Sequence, residues 1–357
     1  MTVRLGALAS NYGNVARRTA GPVVAPVVKA DAYSLGMAPV AQALALAGAD
    51  TFFVARLEEG IALRLLLAKA RIYVLDGVVK ETGPALVAHR LTPVLNSPDD
   101  ITEWSGYAAS RKTKLEAALH IDTGMNRSGL SREELSKLAS RFKQSFAGIT
   151  LNVIVSHLAC AEEPDHPKNR VQLEGFKAAL ALLPPTPASL AASAGIELGR
   201  DYFFDMVRPG IGLYGGNPVP ERPNPYRTVA VLRGRVLQLR RVEPGDTVGY
   251  GATFTPRRSS VVALVGLGYA DGLIRMGGAK GHVFLGGVRV PFAGRISMDY
   301  AALDATDVPR DHLARGAEVE FFGDHIALSD VAAAAGTISH EVLTSILPRT
   351  RRVYVED

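Results

Sequence analysis

Asn217-Pro218-Val219-Pro220-Glu221-Arg222-Pro223-Asn224-Pro225 divides this chain into two parts of different character. Four prolines in nine residues cannot continue a helix or a central strand, since each lacks an amide donor and fixes its own φ. Upstream of this linker, short β-branched runs alternate with alanine- and leucine-rich helical patterns. Strands are expected at 23–29, 51–54, 72–75, 92–95, 115–121, 151–157, 189–193 and 204–208, and helical patterns such as 37–47, 57–68, 132–143 and 168–183 separate nearly all of them. Eight strands in such alternation predict an α/β chain with an N-terminal (β/α)8 TIM barrel. A doubly wound open sheet is the alternative, but no Gly-rich dinucleotide turn follows an early strand. Downstream the pattern turns to strands, at 228–239, 261–267, 282–292, 296–303 and 318–322, with one alanine-rich helix at 329–335. The expected domains are therefore a barrel over 1–223 and a mainly-β domain over 224–357, with the first few residues free to join the latter.

The 357 residues are 47% hydrophobic and 21% charged, which is ordinary globular composition with room for two domains. A net charge of +5 is modest for this length, and the basic residues are scattered. The cluster Arg349, Arg351 and Arg352 reads as a solvated edge, so no nucleic-acid partner is expected. The single cysteine, Cys160, rules out an intramolecular disulfide and a cysteine-built metal site, and reads as a small packing residue in a reducing compartment. No metal is expected. The first residues lack the basic-then-apolar pattern of a signal peptide, and no apolar run approaches a membrane span. A cytoplasmic protein without a membrane partner is the expectation.

Barrel enzymes place their chemistry at the carboxyl ends of the strands. Here those ends carry Lys29 followed by Tyr33, His120 followed by Arg127, then His157, Ser193 and Arg208. A lysine ending the apolar run Val27-Val28 loses hydration, so its amine is freed to attack a carbonyl. The turn Gly210-Ile211-Gly212 and Ser193 stand where this fold usually binds phosphate. A nucleophilic lysine opposite a phosphate cradle suits pyridoxal 5'-phosphate, whose aldehyde and phosphate ends both need holding.

Longer motifs make a resemblance specific. The segments 27–36, 120–130, 156–159, 206–215, 248–254, 268–272 and 294–299 together resemble the alanine racemase family nearly end to end. The resemblance implies a pyridoxal-phosphate amino-acid racemase that interconverts L- and D-alanine, for peptidoglycan supply or alanine catabolism. It implies that Lys29 holds the cofactor and is one of two bases, with Tyr250 the other, supplied by the partner of a head-to-tail homodimer. Tyr33, Ser193, Gly210 and Ile211 would hold the phosphate, Arg208 would face the pyridine nitrogen, and Arg127 and the amide of Met298 would hold the substrate carboxylate. A tyrosine titrates near pH ~10, so as a base it needs a cationic neighbour. His157, aligned with Arg208, is the expected relay. Two alternatives are a racemase that also takes serine and a barrel-type decarboxylase. The decarboxylase would place a carboxylate where Arg208 stands. A non-enzymatic cofactor-binding protein would lack the second domain.

Two positions depart from the family pattern. His120 stands where many members carry a carbamylated lysine that orients the substrate-binding arginine. Pro348 stands where a phosphate-binding, entry-gating tyrosine is usual. His120 is expected to act as a neutral acceptor, to work with a nearby anion, or to leave Arg127 looser.

Overall fold

The computed structural model describes the backbone of residues 1–357 and the side chains of all but Ala279. Strand β1 (Thr2–Arg4) precedes the barrel strands β2 (Val23–Val24), β3 (Thr51–Val54), β4 (Arg71–Val74), β5 (Thr92–Leu95), β6 (Leu115–His120), β7 (Ile149–Val155), β8 (Ala188–Ser189) and β9 (Met206–Val207). From β3 to β8 each pairs in parallel with the next, and β2 pairs with β9. Two bridges close the ring, Val27 with Phe53 and Ala192 with Arg208. The ends of β2 and β8 are therefore extended but thinly paired. That is why these two regular strands are shorter than the apolar runs predict.

Alternation along the strands sorts the side chains. Phe53, Tyr73, Val94, Ala118, Val153 and Met206 fill the inside of the ring as one buried cluster. Their neighbours Phe52, Ile72, Leu95, Leu119, Ile154 and Val207 join the larger core. Helix starts follow local chemistry. The Ser97 hydroxyl accepts from the Asp100 amide ahead of helix Pro98–Arg111, and Ser131 and Glu134 form a reciprocal capping box for helix Arg132–Ala139. The pattern over 132–143 predicts one helix, but it breaks after Ala139 and resumes as the single turn Phe142–Ser145.

The second domain is built on the 13-residue strand β10 (Ala230–Val242), which bends at a bulge near Val236 and pairs with three other strands. The others are β11 (Ser260–Val265), β12 (His282–Leu285), β13 (Val288–Pro291), β14 (Ala301–Asp304), β15 (Glu318–Phe322) and β16 (Val353–Val355). The stretch 282–292 is a hairpin, folded at Gly286 and Gly287 with φ of +59° and +87°. Residues 296–300 turn instead of extending, since the Ser297 amide donates to Tyr300 O. Both chain ends lie in this domain: β1 pairs with β10 and with β16. The proline-rich linker is tied down as well. Buried Asn11 donates to the carbonyls of Leu213 and Arg227 and accepts from the Arg227 amide. Among the described residues no helix is long and apolar enough to cross a membrane.

Candidate active site

Lys29 follows the extended end of β2 and opens the turn Lys29–Tyr33. Ala30, Asp31, Ala32, Tyr33 and Ser34 all lie in the left-handed region, with φ from +52° to +62°. None is glycine, so the turn persists only because its surroundings over-determine it. Glu59 supplies one anchor, accepting from the Ala30 amide at 2.6 Å and from the amides of Ala55 and Arg56. Asp31 accepts from the Met37 amide. The C-terminal segment supplies the other anchor: Arg352 donates twice to Ser34 O, at 3.0 and 2.9 Å, and the Ser34 hydroxyl donates to Thr344 O. The lysine side chain is left half-buried, and lost hydration and then the Arg127 charge lower its pKa below the ordinary lysine range.

On the neighbouring strand ends, since β2 pairs with β9 and the Val27 amide donates to Pro209 O, lies a candidate anion cradle. The amides of Gly210 and Gly212 donate to Ser193 Oγ at 2.9 and 3.2 Å, so that hydroxyl turns its own hydrogen outward. Ser193 itself stands at the start of the short helix Ser193–Ile196 rather than within a strand. Tyr33 packs on Tyr214, ring centroids 4.6 Å apart, and desolvation pushes its phenol up to about 12, which keeps it a donor. A Cβ at position 210 would overlap the Tyr33 hydroxyl.

Arg208, only 6% exposed, directly follows β9 and has no carboxylate partner among the described residues. Its guanidinium donates to the carbonyl and hydroxyl of Ser189 and to Ser156 O, and stands 5.9 Å from the Phe53 ring centroid. Burial pulls its pKa down to about 10, so it is still a cation at neutral pH. His157 is close by. Desolvation first, then the Arg208 charge, push its pKa down to about 3. The imidazole is therefore neutral, and the fixed positive charge here belongs to Arg208. His120, at the end of β6, is lowered to about 4 by desolvation and then by Arg208.

Both histidines fold neutral and unfold into water, where imidazole titrates near 6.5. Unfolding therefore takes up protons below pH ~6.5, and this part of the stability is lost as pH falls toward the folded values. Each histidine contributes a slope of up to about 1.4 kcal/mol per pH unit. Urea titrations at pH 7 and pH 5 should show a lower unfolding free energy at pH 5. A pH-independent value would contradict the neutral assignment.

Arg127 is exposed on the loop after β6, and its charge reaches Lys29, His120 and His157. Tyr250 and Met298 stand on the surface of the β domain, 69% and 53% exposed, and among the described residues neither hydrogen-bonds to the barrel. One chain thus gathers Lys29, Tyr33, His157, Ser193, Arg208, Gly210 and Ile211 at the barrel mouth, with Tyr250 and Met298 set apart. Pro348 lies in the C-terminal segment beside Arg349. That arginine pairs with Asp271 and Asp299 at 2.7 Å, bracing the Tyr269–Asp271 turn against the Met298 loop. Arg349 and Arg351 are exposed, as a solvated edge requires, and Arg349 and Arg352 also act as structural clamps, which the sequence does not foretell. Sequence reading also passed over Asn96, Glu59 and Ser189. Extending the strand-end rule to β5 would have found Asn96.

A closed parallel barrel whose strand ends collect a desolvated amine, an anion cradle and a buried guanidinium, joined to a β domain, defines an α/β-barrel enzyme. Its halves match the family models described as alanine racemase, N-terminal domain, over residues 3–218 and alanine racemase, C-terminal domain, over residues 229–354. The chain belongs to the alanine racemase family. A catabolic alanine racemase of Agrobacterium fabrum is 45% identical over 357 residues, covering 100% of this chain and 92% of the relative. A biosynthetic alanine racemase of the same organism is 41% identical over 366 residues, covering 99% and 93%. Among solved structures, alanine racemase from Bartonella henselae with covalently bound pyridoxal phosphate is similar at a TM-score of 0.95 and 39% identity, covering 99% of this chain and 98% of that one.

Proposed function

We propose that this enzyme interconverts L- and D-alanine with pyridoxal 5'-phosphate, using Lys29 and Tyr250 as bases on opposite faces of the substrate. The residues present fit the cofactor. The Ser193–Gly210–Gly212 cradle and the Tyr33 hydroxyl offer donors to a phosphate, at a place where even a methyl group on residue 210 would intrude. Lys29 offers a desolvated amine to the aldehyde. When bound, the cofactor withdraws electrons from the substrate α-carbon and so makes its proton removable.

Arg208 is the observation that carries the reading. A guanidinium has no acceptor and keeps its proton, so Arg208 would leave the cofactor's pyridine nitrogen unprotonated and would moderate its electron withdrawal. Moderate withdrawal favours prompt reprotonation over decarboxylation or transamination, for which a carboxylate at this place would be the better partner. Lys29 takes or returns the proton on one face and Tyr250 on the other. Arg127 and the Met298 amide hold the carboxylate, which keeps the α-carbon between the two bases. His157, being neutral, orients rather than polarises. The exposure of Tyr250 and Met298 fits their delivery by a second copy of the chain in a homodimer with shared sites. We place the enzyme in the cytoplasm, where its one thiol, Cys160, stays reduced.

Incubation of the holoenzyme with L-alanine should produce D-alanine until the two are equal. Release of carbon dioxide instead would overturn the reading. Gly210→Ala should weaken cofactor retention by about tenfold or more, because the new methyl displaces the Tyr33 hydroxyl from the cradle. Fluorescence titration of the cofactor-stripped protein checks this, and unchanged affinity would remove the cradle from the phosphate role.

A further inference from the structure

The His120 ring is pinned on two sides. Asn96, just past β5, spends both amide hydrogens on carbonyls, donating to Leu75 O at 2.8 Å and Val94 O at 2.9 Å. Its Oδ1 is thereby turned to His120 Nδ1, 2.8 Å away. An amide oxygen only accepts, so His120 carries its hydrogen on Nδ1 and a lone pair on Nε2. The other ring edge lies against the loop 121–130. At Gly129, with φ of +101°, a Cβ would stand 3.0 Å from His120 Cδ2. Nε2 is bonded to Cδ2, so the lone pair is on the side of the loop that carries Arg127.

That loop spends its own carboxylate elsewhere. Asp122 accepts from the amides of Gly124, Met125 and Asn126 at 2.8, 2.8 and 2.9 Å, which shapes the turn and leaves the guanidinium without an anion. Of the two guanidinia near His120, Arg208 is already held by Ser189 and Ser156. Arg127, exposed and without a hydrogen-bond partner among the described residues, is the one with N–H groups to spare. We propose that His120 Nε2 accepts a hydrogen bond from Arg127, and that Asn96 is the positioning residue that keeps this lone pair available. The inference rests on the reading that Arg127 holds the substrate carboxylate. A neutral acceptor occupies one guanidinium N–H and leaves a two-pronged edge free for the carboxylate. An imidazolium here would repel the arginine instead.

Two measurements test this. In the 15N-labelled holoenzyme at pH 7, the His120 ring should show a protonated Nδ1 and a bare Nε2. Its signals are assigned by their absence from His120→Phe or, should that variant not fold, from His120→Gln. An Nε2–H tautomer or an imidazolium overturns the inference. In steady-state kinetics His120→Phe should raise KM for alanine about tenfold with kcat changed by less than about threefold, and Asn96→Leu should move KM in the same direction. An unmoved KM in His120→Phe overturns it. Arg127→Lys separates the two layers. If Arg127→Lys raises KM and His120→Phe does not, the carboxylate reading stands and the role of His120 falls; if neither moves KM, both fall.

Discussion

Lys29→Ala should abolish racemisation, lowering the rate by about 10⁴-fold or more, because under the proposed mechanism one change removes both the covalent hold on the cofactor and one of the two bases. The fold should survive. The lysine is a partly desolvated cation, and its removal relieves that cost while leaving Glu59 bound to the backbone amides of Ala30, Ala55 and Arg56. The variant should therefore unfold at or above the wild-type urea midpoint, and lose the visible absorbance of the protein-bound cofactor. Retained turnover would refute the mechanism. A collapsed midpoint would show instead that the side chain holds the turn together, a role none of its contacts supports.

Tyr250→Phe should cost about 10²- to 10⁴-fold, the range for loss of a positioned general base. Its signature is the asymmetry between the faces. Net racemisation cannot show this, because L- and D-alanine are equally stable and the ratio of the two kcat/KM values is fixed at unity. Exchange of the α-hydrogen in deuterated water can. D-alanine should still exchange through Lys29, while exchange from L-alanine should nearly stop. Equal loss from both enantiomers would take the base role from Tyr250. The exposure of this tyrosine adds a second readout. If it serves the partner's site, mixing inactive Lys29→Ala and Tyr250→Phe chains rebuilds one intact site in each mixed dimer, or about a quarter of wild-type activity at random exchange. No recovery after subunit exchange would place both bases in one chain.

The barrel was legible because period-2 apolar runs and helical patterns alternate up to a proline-rich stop, and because strand ends are where barrels keep their chemistry. Lys29, His157, Ser193 and Arg208 all come from that rule. What it could not supply was the backbone shape that joins strand to site. The run at 23–29 reads as one strand, yet the chain has left the β region by Val28, where ψ is 18°, and from Ala30 takes a conformation L-residues avoid, imposed by Glu59 and Arg352 from elsewhere in the sequence. Protonation states were equally hidden. A histidine beside an arginine reads as half of a relay, and only burial shows that His157 stays neutral. Arg349 and Arg352 were obscured for the opposite reason: their partners, Asp271, Asp299 and Ser34, lie 50 to 318 residues away.

The turn after Lys29 has one more consequence. Left-handed helical geometry costs an L-residue about 1–2 kcal/mol, so five in succession hold several kcal/mol against the fold. Glycine would remove that cost, yet Ala30 and Ala32 keep their methyl groups. The backbone at these positions has the handedness natural to the mirror-image residue. A synthetic chain carrying D-alanine at 30 and 32 would enter the turn without strain at those two positions, so the segment presenting Lys29 is one that D-alanine, as a building block, would suit better than L-alanine.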